Sequence, residues 1–329
     1  MDGLINKSLL VFAFVCLTLS GCATPPSIKN ASEITENTRV VFGSVAVFRD
    51  GKQEKWGLKF TGYNYFYLTI LPSETNEAIT YKVDKDGVFY WDLPPGGYTL
   101  LGYFWQDRDT QRTGYIGAKF NVPETGPDVY LGTIELRGNV AFLVPQIQDK
   151  YDEIARLYNE MFPDRKGMAG KQLFEPLQQV GSYSAYRGIC HEDWKIECDN
   201  TFRGVKPVYP DVTQVGFPLV HDLRPEFSWK PSAGENIRYD LILYEAAAYA
   251  VSGAAATSYM RGRIAAYKEG LKEPYWQPEK PLKQDTKYFW SVRLRDGDTV
   301  SEWSTHGHFI FLIVAMSSGY GQWFQFKTP

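Results

Sequence analysis

Four cysteines and four histidines are few for a chain of 329 residues. So little cysteine excludes a disulfide-dense scaffold, and so little histidine leaves little material for a metal centre. Charge of one sign is not in excess either: 35 Lys and Arg stand against 38 Asp and Glu, a net charge of -3. That excludes the basic footprint of a nucleic-acid binder, so nucleic acid is not expected as a partner. G-x-S-x-G, S-x-x-K, H-E-x-x-H, the P-loop and a G-x-G-x-x-G after a strand are all missing, so the chain is expected not to be an enzyme, and no cofactor is expected. Hydrophobic residues make up 44% of the chain, which excludes wholesale disorder. Aromatics are abundant, with 22 Tyr, 20 Phe and 9 Trp, and these residues favour pleated, half-buried strands.

The apolar run Leu9 to Leu19 is shorter than the roughly 20 residues a membrane-spanning helix needs. It suits the core of a signal peptide, with Lys7 ahead of it. It closes on Leu19-Ser20-Gly21-Cys22, which resembles the lipobox of bacterial lipoproteins. The resemblance implies removal of residues 1–21 and acylation of Cys22 with palmitate-type chains. Ala23, in place of Asp, implies sorting to the outer membrane, with the domains facing the periplasm or the cell surface. Several acyl chains, at about 0.8 kcal/mol per buried CH2, make a stable anchor. Residues 22–38 are polar, contain Pro25-Pro26, and read as a tether.

The fold class expected is mainly β, with two β-sandwich domains joined by a connector that carries one amphipathic helix. The first sandwich is placed at residues 39–137. Its most specific stretch is Gly87 to Leu100, GVFYWDLPPGGYTL, where Phe89 and Trp91 share one face and Pro94-Pro95-Gly96-Gly97 reverses the chain. This resembles the signature of transthyretin-like and carboxypeptidase-regulatory-like β-sandwiches. The resemblance implies that the Pro-Gly turn sets a corner and that Trp91 and Tyr98 fill the core rather than bind a ligand. Asp84-Lys85-Asp86-Gly87 reads as a hairpin turn, since it lacks the spacing of a calcium loop.

The connector spans 138–217. Within it, Tyr151, Ile154, Ala155, Tyr158, Met161 and Phe162 recur at helical spacing, which predicts a helix over 148–162 docked on an adjacent sandwich. Cys190 and Cys198 remain after the signal and the anchor take the other two cysteines, and in an oxidising compartment they are expected to pair. A loop that short gives about 2–3 kcal/mol in the chain-entropy model. The lesser reading takes Cys190, His191 and Cys198 as metal ligands.

Residues 218–329 form the second expected sandwich. Trp229, Tyr288 and Ser301-Glu302-Trp303-Ser304 resemble fibronectin type III landmarks: a buried Trp, a tyrosine that braces a corner by bonding backbone, and half of a Trp-Ser box. Glu245 to Gly270 reads as an insert, and Phe309 to Ala315 as a buried strand. His306 and His308 share one face at i, i+2 spacing and are a weak metal candidate with Glu302, so no metal site is expected. The expected function is a noncatalytic outer-membrane lipoprotein that acts as a protein-protein interaction or envelope-assembly module, with an envelope protein as partner. The alternative is glycan or peptidoglycan binding through exposed aromatics, drawn from Tyr63, Tyr65, Tyr67, Trp105, Trp194, Tyr275 and Trp276. No one of them is assigned a ligand from the sequence.

Overall fold

The computed structural model describes residues 27–56, 64–75, 77–107, 110–138, 143–177, 182–183, 205–212, 216–232, 236–249, 258–297, 299–301, 303–304 and 323–329. The signal segment and the Phe309–Ala315 strand read above lie outside them. The chain is mainly β, as expected, and divides into two compact units.

The first unit comprises Met1–Pro176 and Ala248–Met260. In chain order it holds β1 (Arg39–Arg49), β2 (Lys52–Glu54), β3 (Asn64–Pro72), β4 (Ile79–Val83), β5 (Val88–Leu93), β6 (Gly96–Asp107), β7 (Thr110–Val122), β8 (Asp128–Gly138), β9 (Leu143–Gln148), α1 (Tyr151–Met161), β10 (Ala169–Lys171) and β11 (Glu175–Pro176). One sheet is centred on β1, which pairs antiparallel with β2 and β5 and parallel with β8; β8 in turn takes β9 and β10. The other sheet runs β11-β7-β6-β3-β4.

Strand alternation sorts the side chains. Val41, Val45, Phe89, Trp91 and Leu131 of the first sheet meet Phe66, Leu68, Leu100, Trp105 and Phe120 of the second in one core. Tyr98 belongs to it, and its hydroxyl donates to the Pro94 carbonyl across the reversal (2.9 Å). Trp91 and Tyr98 are therefore core residues, as the motif implied. Val40, Phe42, Val88, Tyr90 and Tyr130 point the other way, into a second apolar cluster with Ile154, Tyr158 and Phe162. Phe42 stacks on Tyr158 at 4.4 Å, and Tyr90 meets Phe162 edge-on at 5.3 Å. The predicted helix does dock on a sheet, through its apolar stripe. Between the central strands β1 and β8 the backbones come very close at a register shift. A Cβ on Gly43 would lie 2.5 Å from the Gly132 carbonyl oxygen, and Gly132 has φ +109°. Only glycine fits both positions.

Two expectations need correction. The helix is Tyr151–Met161, because the residues up to Gln148 form β9 against β8. The stretch expected as connector is built into the first unit as far as Pro176. β9, β10 and β11 are edge strands of six, three and two residues; the last two are too short to show a hydrophobic period, and Pro145 interrupts the first.

The second unit comprises Leu177–Ala247 and Arg261–Pro329. Its strands are β12 (Ser182–Tyr183), β13 (Pro207–Tyr209), β14 (Phe227–Trp229), β15 (Arg238–Tyr249), β16 (Ser258–Leu271), β17 (Tyr275–Trp276), β18 (Lys287–Asp296), β19 (Thr299–Val300) and β20 (Phe324–Lys327). The larger sheet runs β12-β19-β18-β15-β16, with β20 also on β18; the smaller runs β13-β14-β17. Phe227 and Trp229 of the smaller sheet pack with Leu241, Leu243, Trp290, Val292 and Phe326 of the larger. Much of the supposed insert is strand: Glu245 lies in β15, and the run up to Gly270 lies in β16.

Tyr288 is buried and stacks on Phe326 at 5.2 Å, and its hydroxyl accepts a hydrogen bond from the Lys283 backbone N–H (3.0 Å). This is the corner brace implied by the resemblance. Burial first, then the Glu245 carboxylate, push its hydroxyl from 10 to about 12, against the Lys283 bond. The folded state holds this proton more tightly than the unfolded chain does. The contribution is complete below pH 10 and is lost as pH rises toward 12. Urea unfolding at pH 8 and pH 11 should therefore show a loss of stability that is smaller in Tyr288→Phe. At neutral pH that variant should lose about 1 kcal/mol for the missing bond.

Candidate functional site

Cys22, the pair Cys190 and Cys198, His191, Glu302, His306 and His308 lie outside the described residues, as do Tyr63 and Trp194. Among the described residues, no three His, Cys, Asp or Glu side chains gather closely enough to hold a metal ion. Among the described residues, chemistry-bearing groups gather most densely at a fully buried carboxylate in each unit.

In the first unit that carboxylate is Asp128, fully buried at the start of β8. Arg165 grips it with Nε to Oδ2 at 2.7 Å and Nη2 to Oδ1 at 2.6 Å. The Val40 backbone N–H donates to Oδ1 at 3.1 Å, and the Tyr158 hydroxyl donates to Oδ2. The site joins β1, α1 and the turn after the helix. Burial, reinforced by the bond to Asp128, drives the Tyr158 hydroxyl well above the ordinary tyrosine range. The same carboxylate holds the Arg165 guanidinium firmly charged. Every strong acceptor position of Asp128 is filled by a donor from its own unit, so it has no capacity to serve as a base.

In the second unit the centre is Asp240 on β15, also fully buried. Arg293, opposite it on β18, donates Nε to Oδ2 at 2.9 Å. Arg295 donates Nε to Oδ1 and Nη2 to Oδ2, each at 2.8 Å, and the Gly270 N–H adds a bond at 3.0 Å. Glu269 balances the second guanidinium at 2.8 Å. The hydrogen bond to Asp240 keeps Arg295 strongly protonated against burial. Arg293 also lies over Trp303, 4.4 Å from its centroid, and Trp303 approaches Trp323 at 5.7 Å. Arg261 covers Trp323 from 4.3 Å. The Ser301-to-Ser304 motif bonds backbone: Ser301 Oγ accepts from the Leu294 N–H (2.9 Å), and Ser304 Oγ donates to the Val205 carbonyl (2.6 Å). Sequence reading found Trp303 but not its arginine partner, Arg293, which lies on β18.

The aromatics proposed for a glycan separate into distinct environments. Trp105 is wholly buried, donates Nε1–H to Asn64 Oδ1 (2.7 Å), and lies beneath Arg49 and Arg112. Tyr67 is buried beside Phe104, and half-buried Tyr65 carries the Lys82 ammonium 4.0 Å from its ring. Trp276 packs on Phe227. Tyr275 is 51% exposed. Sequence reading missed Tyr209, which is 37% exposed on β13. The signal available for it was only position, on a short strand before Pro210. A shallow polar depression of about 420 Å³ lies along α1, lined by Tyr151, Arg156, Asn159, Glu160 and Lys166 among others.

No protein-family model and no curated protein matches this chain. Solved structures with some likeness include the FN1–FN3 domains of chicken CNTN1, at 8% identity over 82% of this chain and 67% of that one, with a TM-score of 0.18. A DUF3823 family protein from Bacteroides uniformis shares 11% identity over 88% of this chain and 96% of its own, with a TM-score of 0.17. Another from Bacteroides ovatus shares 11% over 81% and 97%, with a TM-score of 0.15. TM-scores this low establish no common fold.

Asp128→Asn turns two accepting oxygens into an acceptor and a donor facing Arg165. It should cost about 3 kcal/mol of unfolding free energy in urea titrations. Tyr158→Phe, which removes one donor and leaves the ion pair, should cost nearer 1 kcal/mol.

Proposed function

We propose that this chain is a noncatalytic lipoprotein of the outer membrane, anchored through acylated Cys22, whose β-rich units serve as a protein-protein interaction or envelope-assembly module. One observation carries the reading: among the described residues, the two fully buried carboxylates are spent on holding the fold. Asp128 and Asp240 are each saturated by donors of their own unit. A catalytic acid or base needs a free position toward a substrate. Trp91, Trp105, Trp229 and Trp290 are buried in cores. That leaves loops and sheet surfaces as the parts offered to a partner. The leader and Leu19-Ser20-Gly21-Cys22 supply the address, and a Cys190–Cys198 bond suits the oxidising compartment it implies.

Cys22→Ser should move the protein from the membrane fraction to the soluble fraction of lysed cells; continued membrane association in that variant would refute the anchor. Crosslinking in intact cells, followed by mass spectrometry, should return the same few envelope proteins in repeated experiments. Recovery of abundant porins alone would overturn the assembly reading.

A further inference from the structure

We propose that the outer face of the β13-β14-β17 sheet binds a neutral, extended glycan chain, with Tyr209 and Tyr275 as stacking rings and the Ser228 hydroxyl between them. The register makes the arrangement. Tyr209 pairs opposite Ser228, and Ser228 pairs opposite Tyr275, so the three side chains form one row across three antiparallel strands. Phe227 and Trp229 on the central strand face the core, which leaves Ser228 pointing outward. Two strand spacings separate the rings by roughly 10 Å at the backbone. Both rings are exposed, and among the described residues neither makes a ring, cation or side-chain hydrogen-bond contact. Tyr65, by contrast, is occupied by Lys82.

The charges around the row decide what can occupy it. Exposed Lys206, Lys230 and Lys272 flank the row in sequence against exposed Glu226 and Glu273, a difference of one charge. A polyanion or an acidic lipid surface needs a large cationic excess, and one charge does not supply it. An unbranched chain of pyranose rings fits its chemistry. The C–H faces of the sugars cover apolar tyrosine rings, and hydroxyls at the rim meet Ser228 and the flanking Lys and Glu. Rings so far apart act together only on a chain of several sugars, so binding should rise with length. The proposal does not depend on the anchor at Cys22 or on the assembly reading.

The test is calorimetric titration of the mature chain with chitohexaose and with cellohexaose, two neutral β-linked hexasaccharides. At least one should bind, and its disaccharide should bind at least about tenfold more weakly. Tyr209→Ala and Tyr275→Ala should each weaken the hexasaccharide by about tenfold. Tyr275→Phe, which keeps the ring, should retain binding, and Tyr65→Ala should leave it unchanged. Thermal melts matching the unsubstituted protein certify that each variant is folded. Failure of both hexasaccharides to bind overturns the proposal, as does binding that survives both alanine variants. If the alanine variants instead abolish a crosslink to an envelope protein while neither sugar binds, the face is a protein interface and the glycan proposal is wrong.

Discussion

A β-sheet that is apolar on both faces must be covered twice, and the first unit is organised around that requirement. On β1 the side chains alternate between Val41 and Val45 toward one cluster and Val40 and Phe42 toward another. β5 does the same with Phe89 and Trp91 against Val88 and Tyr90. A second sheet covers one side and α1 the other. Burying an amphipathic helix on a sheet leaves polar groups at its ends to satisfy. Here the Tyr130 hydroxyl accepts from the Lys150 N–H at the entrance, and the Asp128 cluster ties the exit turn to β8. The close approach of Gly43 to Gly132 belongs to the same problem, since it lets β1 and β8 shift register within the covered sheet.

The second unit answers a similar demand with charge. One face of β15 and β18 carries Leu241, Leu243, Val292 and Leu294 into the core. The other presents Asp240, Arg293 and Arg295, all of them buried. Two guanidiniums on one carboxylate would repel each other without Glu269 and the Trp303 ring beside them. Aromatic surface is thus used as a counterweight to charge as well as core filling, at Trp303, Trp323 and, in the first unit, Trp105.

The sequence showed clearly those parts whose signal is local. Phe89/Trp91 against Tyr90/Asp92 revealed a two-faced strand, and Tyr151 to Phe162 a helix with one apolar stripe. Tyr288 was legible as a landmark at the start of a strand, and its backbone partner, Lys283, lies five residues before it. β10 and β11 were not legible, since so few residues carry no period, and Pro145 hid β9. The buried carboxylates were invisible for a different reason. Asp128 meets Val40 and Arg165, and Asp240 meets Arg293, across separations of 37 to 88 residues. Nothing near an aspartate in sequence marks it as buried. The Tyr209–Ser228–Tyr275 row is a matter of register among three short strands, so Tyr275 could be named as an exposed aromatic but not paired with Tyr209.

Because Asp128 draws its donors from a strand, a helix and the turn beyond it, those pieces cannot separate one at a time. Peeling α1 from the sheet takes one donor, Tyr158, away from the carboxylate, and unwinding the turn takes Arg165 and strands the buried charge. Backbone amides along α1 and the central part of β1 should therefore open to solvent in a single event and share one exchange rate. The surface helix of this unit is kinetically part of its core.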